Sequence, residues 1–557
     1  MDSFINPMPP HDNRPKTISE CLHPGGGMDM KKYASHIKYQ AEKSRRRLTS
    51  LIAATYKEER NSTEDYNNDN DEIHEPSEKK TRRKKGVMAR KTDGGEREIL
   101  QPQQSSWYQM YVNNLVMEDE MSYQDKFRIR FRLPYEKYRE LVSDCKEDDH
   151  FSRWHGTDAY GRRASPVELL VLGALRYLGR GWTFDDIEES TAVSRDVHRV
   201  FFHAFIEFGS TVLYDRYVNA PLNFEDAKRH MLEFIEAGLP GAVGSTDCTH
   251  ILSEKIEYNL RNNHIGAKSS NTTRTFNLTA NHRHRVLHTT KGGPGRWNDM
   301  TMVRFDQFIS GIRDGTVLRD VEFELLERDI NGDVITIKYR GGYGIIDKGY
   351  LHWSVTVPLF KVTNNESEIR WSKWVESMRK DVECTFGILK GRWRILKTGI
   401  RVEGVDAVDK VWLTCCALHN WLLDIDGLDK EWKDGVPTSV WTGEMGDHDF
   451  EGIQDHVPNP IARLNTNLEP RTYDSSGIGP GDDIVEHHPL DIDLGLGGGG
   501  FDVSALDGKV RIVRNLPLGF FRRKLVDHFD IKFKNNEIKW PTRRGPAPDP
   551  EAVCLSN

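Results

Sequence analysis

The chain has 557 residues and a formal net charge of -7, with 37% hydrophobic and 29% charged residues. That is enough for two or three folded units with long solvated stretches, and it rules out nucleic-acid binding by bulk positive charge, leaving only local basic patches. None of the seven cysteines stands in a CxxC pair, which argues against a zinc ribbon or a disulfide framework, and no apolar run approaches the ~18 residues of a spanning helix.

The opening MDSFINPMPPHDNR lacks the basic and apolar regions of a secretory signal. Residues 1–103 are expected to be a disordered tail, because stretches such as RNSTEDYNNDNDEIHEPSE bury too little apolar area to offset ordering. Within it, residues 79–91 (KKTRRKKGVMARK) carry eight Lys or Arg in thirteen positions. This run is either a solvated linker or a nuclear-import signal that also touches phosphates.

Residues 104–235 read as an α-helical domain. PYEKYRELVSD opens on Pro134 and puts Tyr135, Tyr138 and Leu141 on one face. SPVELLVLGALRYLGRG follows, with Ser165 as expected N-cap, Pro166 at the first helical position and Gly179 and Gly181 at the end. Thr183 can cap TFDDIEESTA, and a third helix starts near Val193 and runs through SRDVHRVFFHAFIEF. This order has the proportions of a helix-turn-helix. Arg195, His198 and Arg199 would then face DNA while Val197, Val200 and Phe201 pack inward; the alternative is a helical scaffold whose arginines face water.

Residues 236–425 change character. AVGSTDCTHI, NTTRTFNLTANH and RVLHTT predict three strands, and GGPGRWND leads into a helix carrying Met302, Phe305 and Phe308. GGYGIIDKGY predicts a fourth strand, and residues 372–396 a long helix with Val375, Met378, Val382, Phe386 and Leu389 on its buried stripe. The apolar run VWLTCCALHNWLL suggests a further helix with Cys415 and Cys416 as buried thiols. The expected fold class is α/β, a mixed sheet with flanking helices preceded by the helix-turn-helix-like domain. Residues 426–500 read as a flexible linker, and 501–557 as a short C-terminal segment with a strand at KVRIVRN and a helix at GFFRRKLVDHF.

Single carboxylates sit at apolar strand ends: Asp247 after Ala242–Val243–Gly244, and Asp347 after Ile345–Ile346. A buried carboxylate needs a counter-charge, several donors or a metal. Glu383 follows the buried-face Val382 and can look toward the sheet, with Arg379 or Lys380 near its rim. Asp299 is either a further metal-side carboxylate or the cap of the helix beginning near Met300. His250 either contacts DNA or is a satisfied structural histidine.

These blocks (GSTDCTHI, GGPGRWNDMTMV, GYGIIDKGY and RKDVECTFGILKGRWRIL) resemble the PIF/Harbinger superfamily of DNA transposases, plant-type branch, in order and spacing. The resemblance covers about 130 to 425. Leu351 after Gly349–Tyr350, and Cys384–Thr385 after Glu383, depart from the family pattern without removing a ligand. It implies a ribonuclease-H-like nuclease domain with Asp247, Asp347 and Glu383 as catalytic carboxylates and Asp299 as an added metal ligand. The implied cofactor is a divalent metal, Mg²⁺ foremost for an all-oxygen set and Mn²⁺ as substitute. The implied reaction is phosphodiester hydrolysis and strand transfer at transposon ends; the alternative is a host-recruited DNA-binding or scaffold protein.

Lys268 and Arg274, and Lys390, Arg392, Arg394 and Lys397 beyond the catalytic helix, are candidate phosphate contacts, with ordinary solvated charge as the plainer reading of the last four. The expected partners are double-stranded DNA with terminal inverted repeats, a Myb-like accessory protein and further copies of this chain on DNA. The expected compartment is the nucleus.

Overall fold

The computed structural model describes residues 101–113, 121–157, 164–266, 270–351, 353–428 and 510–541, with a few scattered positions. The expected acidic and basic tail, the 426–500 linker beyond residue 428 and Lys268 lie outside the described residues, apart from such scattered positions as Arg90–Lys91. All described residues belong to one unit, Lys80–Tyr473 with Asp502–Asn557.

Its centre is a mixed sheet. Strand β1 (Ala242–Leu252) lies between β2 (Thr273–Ala280) and β6 (Tyr343–Ile346), with β3 (Val286–Thr289) outside β2 and β7 (Thr356–Pro358) outside β6. β1–β2 and β2–β3 are antiparallel, whereas β1–β6 and β6–β7 are parallel. β2 is buried along its whole length, as expected of a central strand with layers on both faces. This order, with helices flanking the sheet, is consistent with a ribonuclease-H-like fold.

Between β3 and β6 the chain forms helix α7 (Gln307–Asp314) and a hairpin of β4 (Glu322–Arg328) and β5 (Val334–Arg340). No strand was expected between the helix carrying Phe308 and the GGYGIIDKGY strand. Yet β4 alternates buried and exposed residues, and Asn331–Gly332 sits at its turn with Gly332 at φ +87°.

Helices precede the sheet: α1 (Met121–Phe131), α2 (Tyr135–Glu147), α3 (Val167–Arg180), α4 (Phe184–Thr191), α5 (Arg195–Phe208) and α6 (Phe224–Glu236). α3 is buried on nearly every side. Its cap is Pro166 rather than Ser165, and it ends on left-handed Gly181. Thr183 and Asp186 form a reciprocal capping box on α4, and the Ser194 hydroxyl accepts from the Val197 amide to start α5.

Two long helices follow the sheet, α8 (Glu366–Arg392) and α9 (Val405–Asp426). α8 begins earlier than its apolar spacing suggested, because the Asn365 side chain accepts from the Ser367 and Glu368 amides. α9 carries the buried Trp412, Cys415, Cys416 and Leu418, and one hydrophobic core runs from Trp107 through α3 and α5 into β2, α8 and α9. The helical region therefore shares its core with the sheet. Helix α10 (Leu518–Lys534) packs on β4 and α8; its His528 ring accepts from the Leu326 amide at 2.9 Å, and Asp530 takes a hydrogen bond from Ser367. Beyond it, Trp540 stacks edge-on against Trp374, and the Pro541 carbonyl lies 2.8 Å from His282 Nε2. No helix among the described residues is long and apolar enough to cross a membrane.

Candidate functional site

In the parallel pairing of β1 with β6, Thr246 stands opposite Ile346. The next residue on each strand is an aspartate, so Asp247 and Asp347 emerge side by side. α8 crosses this end of the sheet, anchored by the buried Met378 and Val382, with Ser245 Oγ donating to the Met378 carbonyl. The residues following those two anchors, Arg379 and Glu383, consequently face the two aspartates, of which only Asp347 stands at a strand end; Asp247, expected at one, lies in the middle of β1, which runs on to Leu252. Three carboxylates separated by up to 136 positions in the chain meet at one point.

Arg379 occupies that point. Its Nη1 lies 3.1 Å from Asp247, its Nη2 2.8 Å from Glu383, and its Nε 3.9 Å from Asp347. Sequence spacing put Arg379 at the rim; the structure puts it at the centre, because its separation of 132 positions from Asp247 hides the approach. Burial pushes the Asp247 carboxyl up to about 6; the Cys248 amide and Arg379 oppose the rise, while Asp299 and Asp347 add to it. Burial pulls the Arg379 guanidinium down, but Glu383, Asp347 and Asp247 outweigh that and leave it raised.

Asp299 lies in a single turn, Asp299–Met302, capped by the side chain of Asn298. Of its two sequence readings, the cap therefore belongs to its neighbour. Its carboxylate approaches the Asp347 loop, where a Cβ on Gly349 would sit 3.1 Å from Asp299 Oδ2. Behind the carboxylates, Tyr350 donates to Asn277 Oδ1 at 2.7 Å, Cys248 donates to the same oxygen at 3.2 Å, and the Asn277 amide donates to buried Asp306 at 2.7 Å. Burial pushes both the Cys248 thiol and the Tyr350 hydroxyl well up, so they serve as neutral donors. Sequence reasoning missed this brace. Its one visible signal was Asn277, a polar residue inside the buried strand TFNLTA. The His250 ring sits between the Thr273 and Thr275 hydroxyls, at 3.4 and 3.1 Å, which favours its structural reading.

The donor set is all hard carboxylate oxygen, the kind that suits Mg²⁺ or Mn²⁺, and the guanidinium stands in as a cation among these groups. In kind, the residues fit a divalent metal. In spacing they are held apart, since no three Asp, Glu, His or Cys side chains among the described residues are gathered into a cage.

Three expected DNA contacts are turned inward. Arg274 is buried, donating to both oxygens of Asp409 at 3.0 and 2.8 Å and to the Gly292 carbonyl. His198 is buried 2.9 Å from the Thr191 hydroxyl, its basicity lowered to about 3 by desolvation. Arg392 is buried against His419. These side chains are built into the core and cannot reach a phosphate.

Lys390 is half-buried and donates to Thr249, with burial lowering its pKa. Arg394 is half-buried and Lys397 exposed. On α5, Arg195 and Arg199 point outward, each beside an exposed aspartate, Asp185 and Asp196. Val200, expected inside, is partly exposed on the same helix, while Phe201 is buried as expected.

Comparison with known proteins points one way. Residues 215–429 match the family described as plant transposon protein. A protein named ALP1-like, from Arabidopsis thaliana, is 23% identical over 302 residues, which is 54% of this chain and 71% of that protein. No solved structure matches. The matched segment spans the sheet, α8 and α9, and contains all four carboxylates.

Proposed function

We propose, from the premise that this chain belongs to the plant transposase-like, Harbinger-related family, that it cuts and joins DNA phosphodiesters at transposon ends. One observation carries the proposal: Asp247 from the middle of β1, Asp347 just past the end of the neighbouring β6, and Glu383 from a crossing helix all face one guanidinium, a place that already attracts positive charge. Asp247, Asp299, Asp347 and Glu383 would hold Mg²⁺, with Mn²⁺ as substitute. When bound, the metal supplies the positive charge that helps ionise the attacking oxygen and steadies the leaving one.

The chain's own part is to aim and to insulate. Tyr350, Asn277 and Cys248 fix the Asp347 turn against β1, so the two aspartates keep their relative orientation. A bare carboxylate cluster repels phosphate, so DNA must be gripped elsewhere. Arg195 and Arg199 on α5, together with Lys397 and the half-buried Arg394, would supply that grip; their exposure supports the reading. In this reading α4 and α5 act as a helix-turn-helix that positions terminal repeats. The protein works in the nucleus, imported through residues 79–91 or with a Myb-like partner, and assembles as several copies on DNA.

The test is nicking of a terminal-repeat duplex by purified protein in Mg²⁺. Asp247→Asn should abolish it; nicking at the wild-type rate would defeat the site assignment. A second reading, a recruited DNA-binding or scaffold protein, draws on the ion pairs that already neutralise part of the cluster. It requires equal DNA affinity in wild type and Asp247→Asn, and no nicking in either.

A further inference from the structure

Arg379 contacts more carboxylates than one guanidinium can neutralise. Each of its three nitrogens faces a different acid, and three carboxylates against one guanidinium leave the cluster at a formal -2. The cation also sits deeper than two of its partners: its side chain is 11% exposed, against 38% for Asp347 and 47% for Glu383. It therefore plugs the place that the carboxylates surround. Its hold is incomplete, since Nε is buried without a hydrogen-bond partner and reaches Asp347 only at 3.9 Å. Arg274 shows what a permanent anchor looks like on the same sheet, with both of its partner's oxygens and a backbone carbonyl satisfied.

We propose that Arg379 is an internal stand-in cation that competes with the divalent metal for the carboxylates and is drawn off by a DNA phosphate. The proposal rests on the functional reading above and adds an order of events to it. A guanidinium matches a phosphate's two oxygens better than it matches three divergent carboxylates. Its long side chain, anchored on the rigid helix α8, can exchange one for the other by rotation alone. Moving it takes the cluster from -2 to -3 and frees the space between the acids. Metal and DNA then bind cooperatively, and by thermodynamic linkage each strengthens the other equally. Free metal without DNA stays weakly held, which keeps the site idle until substrate arrives.

The experiment is Mn²⁺ titration of the full-length protein, with free ion followed by electron paramagnetic resonance and folding followed by thermal melting. Arg379→Gln should bind Mn²⁺ about tenfold or more tighter than wild type, since ~1.4 kcal/mol is one decade. A non-specific duplex should tighten Mn²⁺ binding by wild type and leave Arg379→Gln unchanged. If Arg379→Gln is folded and binds Mn²⁺ no tighter than wild type, the proposal is overturned. If it fails to fold, Arg379→Lys decides the matter. That variant keeps the competing charge but loses the fork that matches a phosphate, so Mn²⁺ binding like wild type that a duplex fails to tighten supports the proposal, and tightening by duplex as large as in wild type overturns it. Asp247→Asn in each background separates the two readings. Loss of Mn²⁺ binding there keeps the metal site even if Arg379 plays no part, whereas unchanged binding removes the site itself.

Discussion

Two arginines sit within the same sheet-and-helix layer and make opposite use of it. Arg274 on β2 and Asp409 on α9 are a one-to-one pair, 4% and 9% exposed, with every strong partner supplied by the fold. Arg379 is shared among three acids, two of which open to solvent. The first arrangement is closed in charge and geometry, and removing either partner strands a buried ion. The second has surplus negative charge and two acids open to solvent, the condition that the proposed exchange of its cation requires. Ion pairs of the same chemistry thus become scaffold or site according to stoichiometry and exposure.

The largest expected effect tests the scaffold. Asp409→Ala leaves the Arg274 guanidinium buried without its carboxylate and should lower unfolding free energy by about 3–5 kcal/mol in a denaturant titration. A loss below ~1 kcal/mol would mean that the two regions do not differ as described. Asp247→Asn should do the reverse, removing nicking while leaving the melting temperature unchanged or slightly higher, because it deletes a desolvated carboxylate among like charges.

Acid sharpens the contrast further. Burial holds His198 and His230 at about 3 and His264 at about 4, below the ordinary value near 6.5. A depressed histidine contributes stability that is present above ~6.5 and lost as pH falls toward its folded value, with a slope of at most ~1.4 kcal/mol per pH unit for each. Asp247 has the opposite sign, because its folded value of about 6 lies above the ordinary ~3.9. Its contribution is present below ~4 and is lost as pH rises through 6. Between pH 6 and 4 the two oppose each other, so Asp247→Asn should lose stability more steeply on acidification than wild type. Parallel curves would count against a raised Asp247.

The smallest effect belongs to the surface. Arg195→Ala and Arg199→Ala should leave stability within about 0.5 kcal/mol, since exposed pairs contribute little. Each should lower the salt dependence of DNA binding by about one phosphate contact. Salt slopes and affinities equal to wild type would move DNA recognition away from α5.

The strands bearing Asp247 and Asp347, and the helix bearing Glu383, could be read from apolar spacing because local pattern and final environment agree there. The hairpin of β4 and β5 was missed although its alternation and Asn331–Gly332 turn are local, since Glu322, Glu324, Arg328, Lys338 and Arg340 fill exposed positions of its strands and dilute the apolar signal. Arg274, His198 and Arg392 misled for another reason. Their residue types suggest solvent, and what buries Arg274 and Arg392 is a partner far away in the chain: Asp409 is 135 positions from Arg274, and His419 is 27 from Arg392. His198 was hidden by a tighter fit, its ring lying against Gly173, where an added Cβ would come within 2.5 Å. Arg379 combined both problems, being a plausible i,i+4 partner of Glu383 whose decisive neighbour lies on β1.

The C-terminal stretch that buttresses α8 has a consequence for how the protein comes into being. Trp374 on α8 packs against Phe529 and Trp540, and His282 meets Pro541 across 259 positions of sequence. Contacts of such separation form slowly, because a long loop must close before any of them is gained. A ribosome releasing this chain exposes β1, β6 and α8 well before residues 518–541 emerge to cover α8. During that interval the apolar face around Trp374 is open to solvent, and the helix holding Arg379 and Glu383 lacks its outer support. Nascent chains should engage chaperones at this stage, until the C-terminal helix closes over α8.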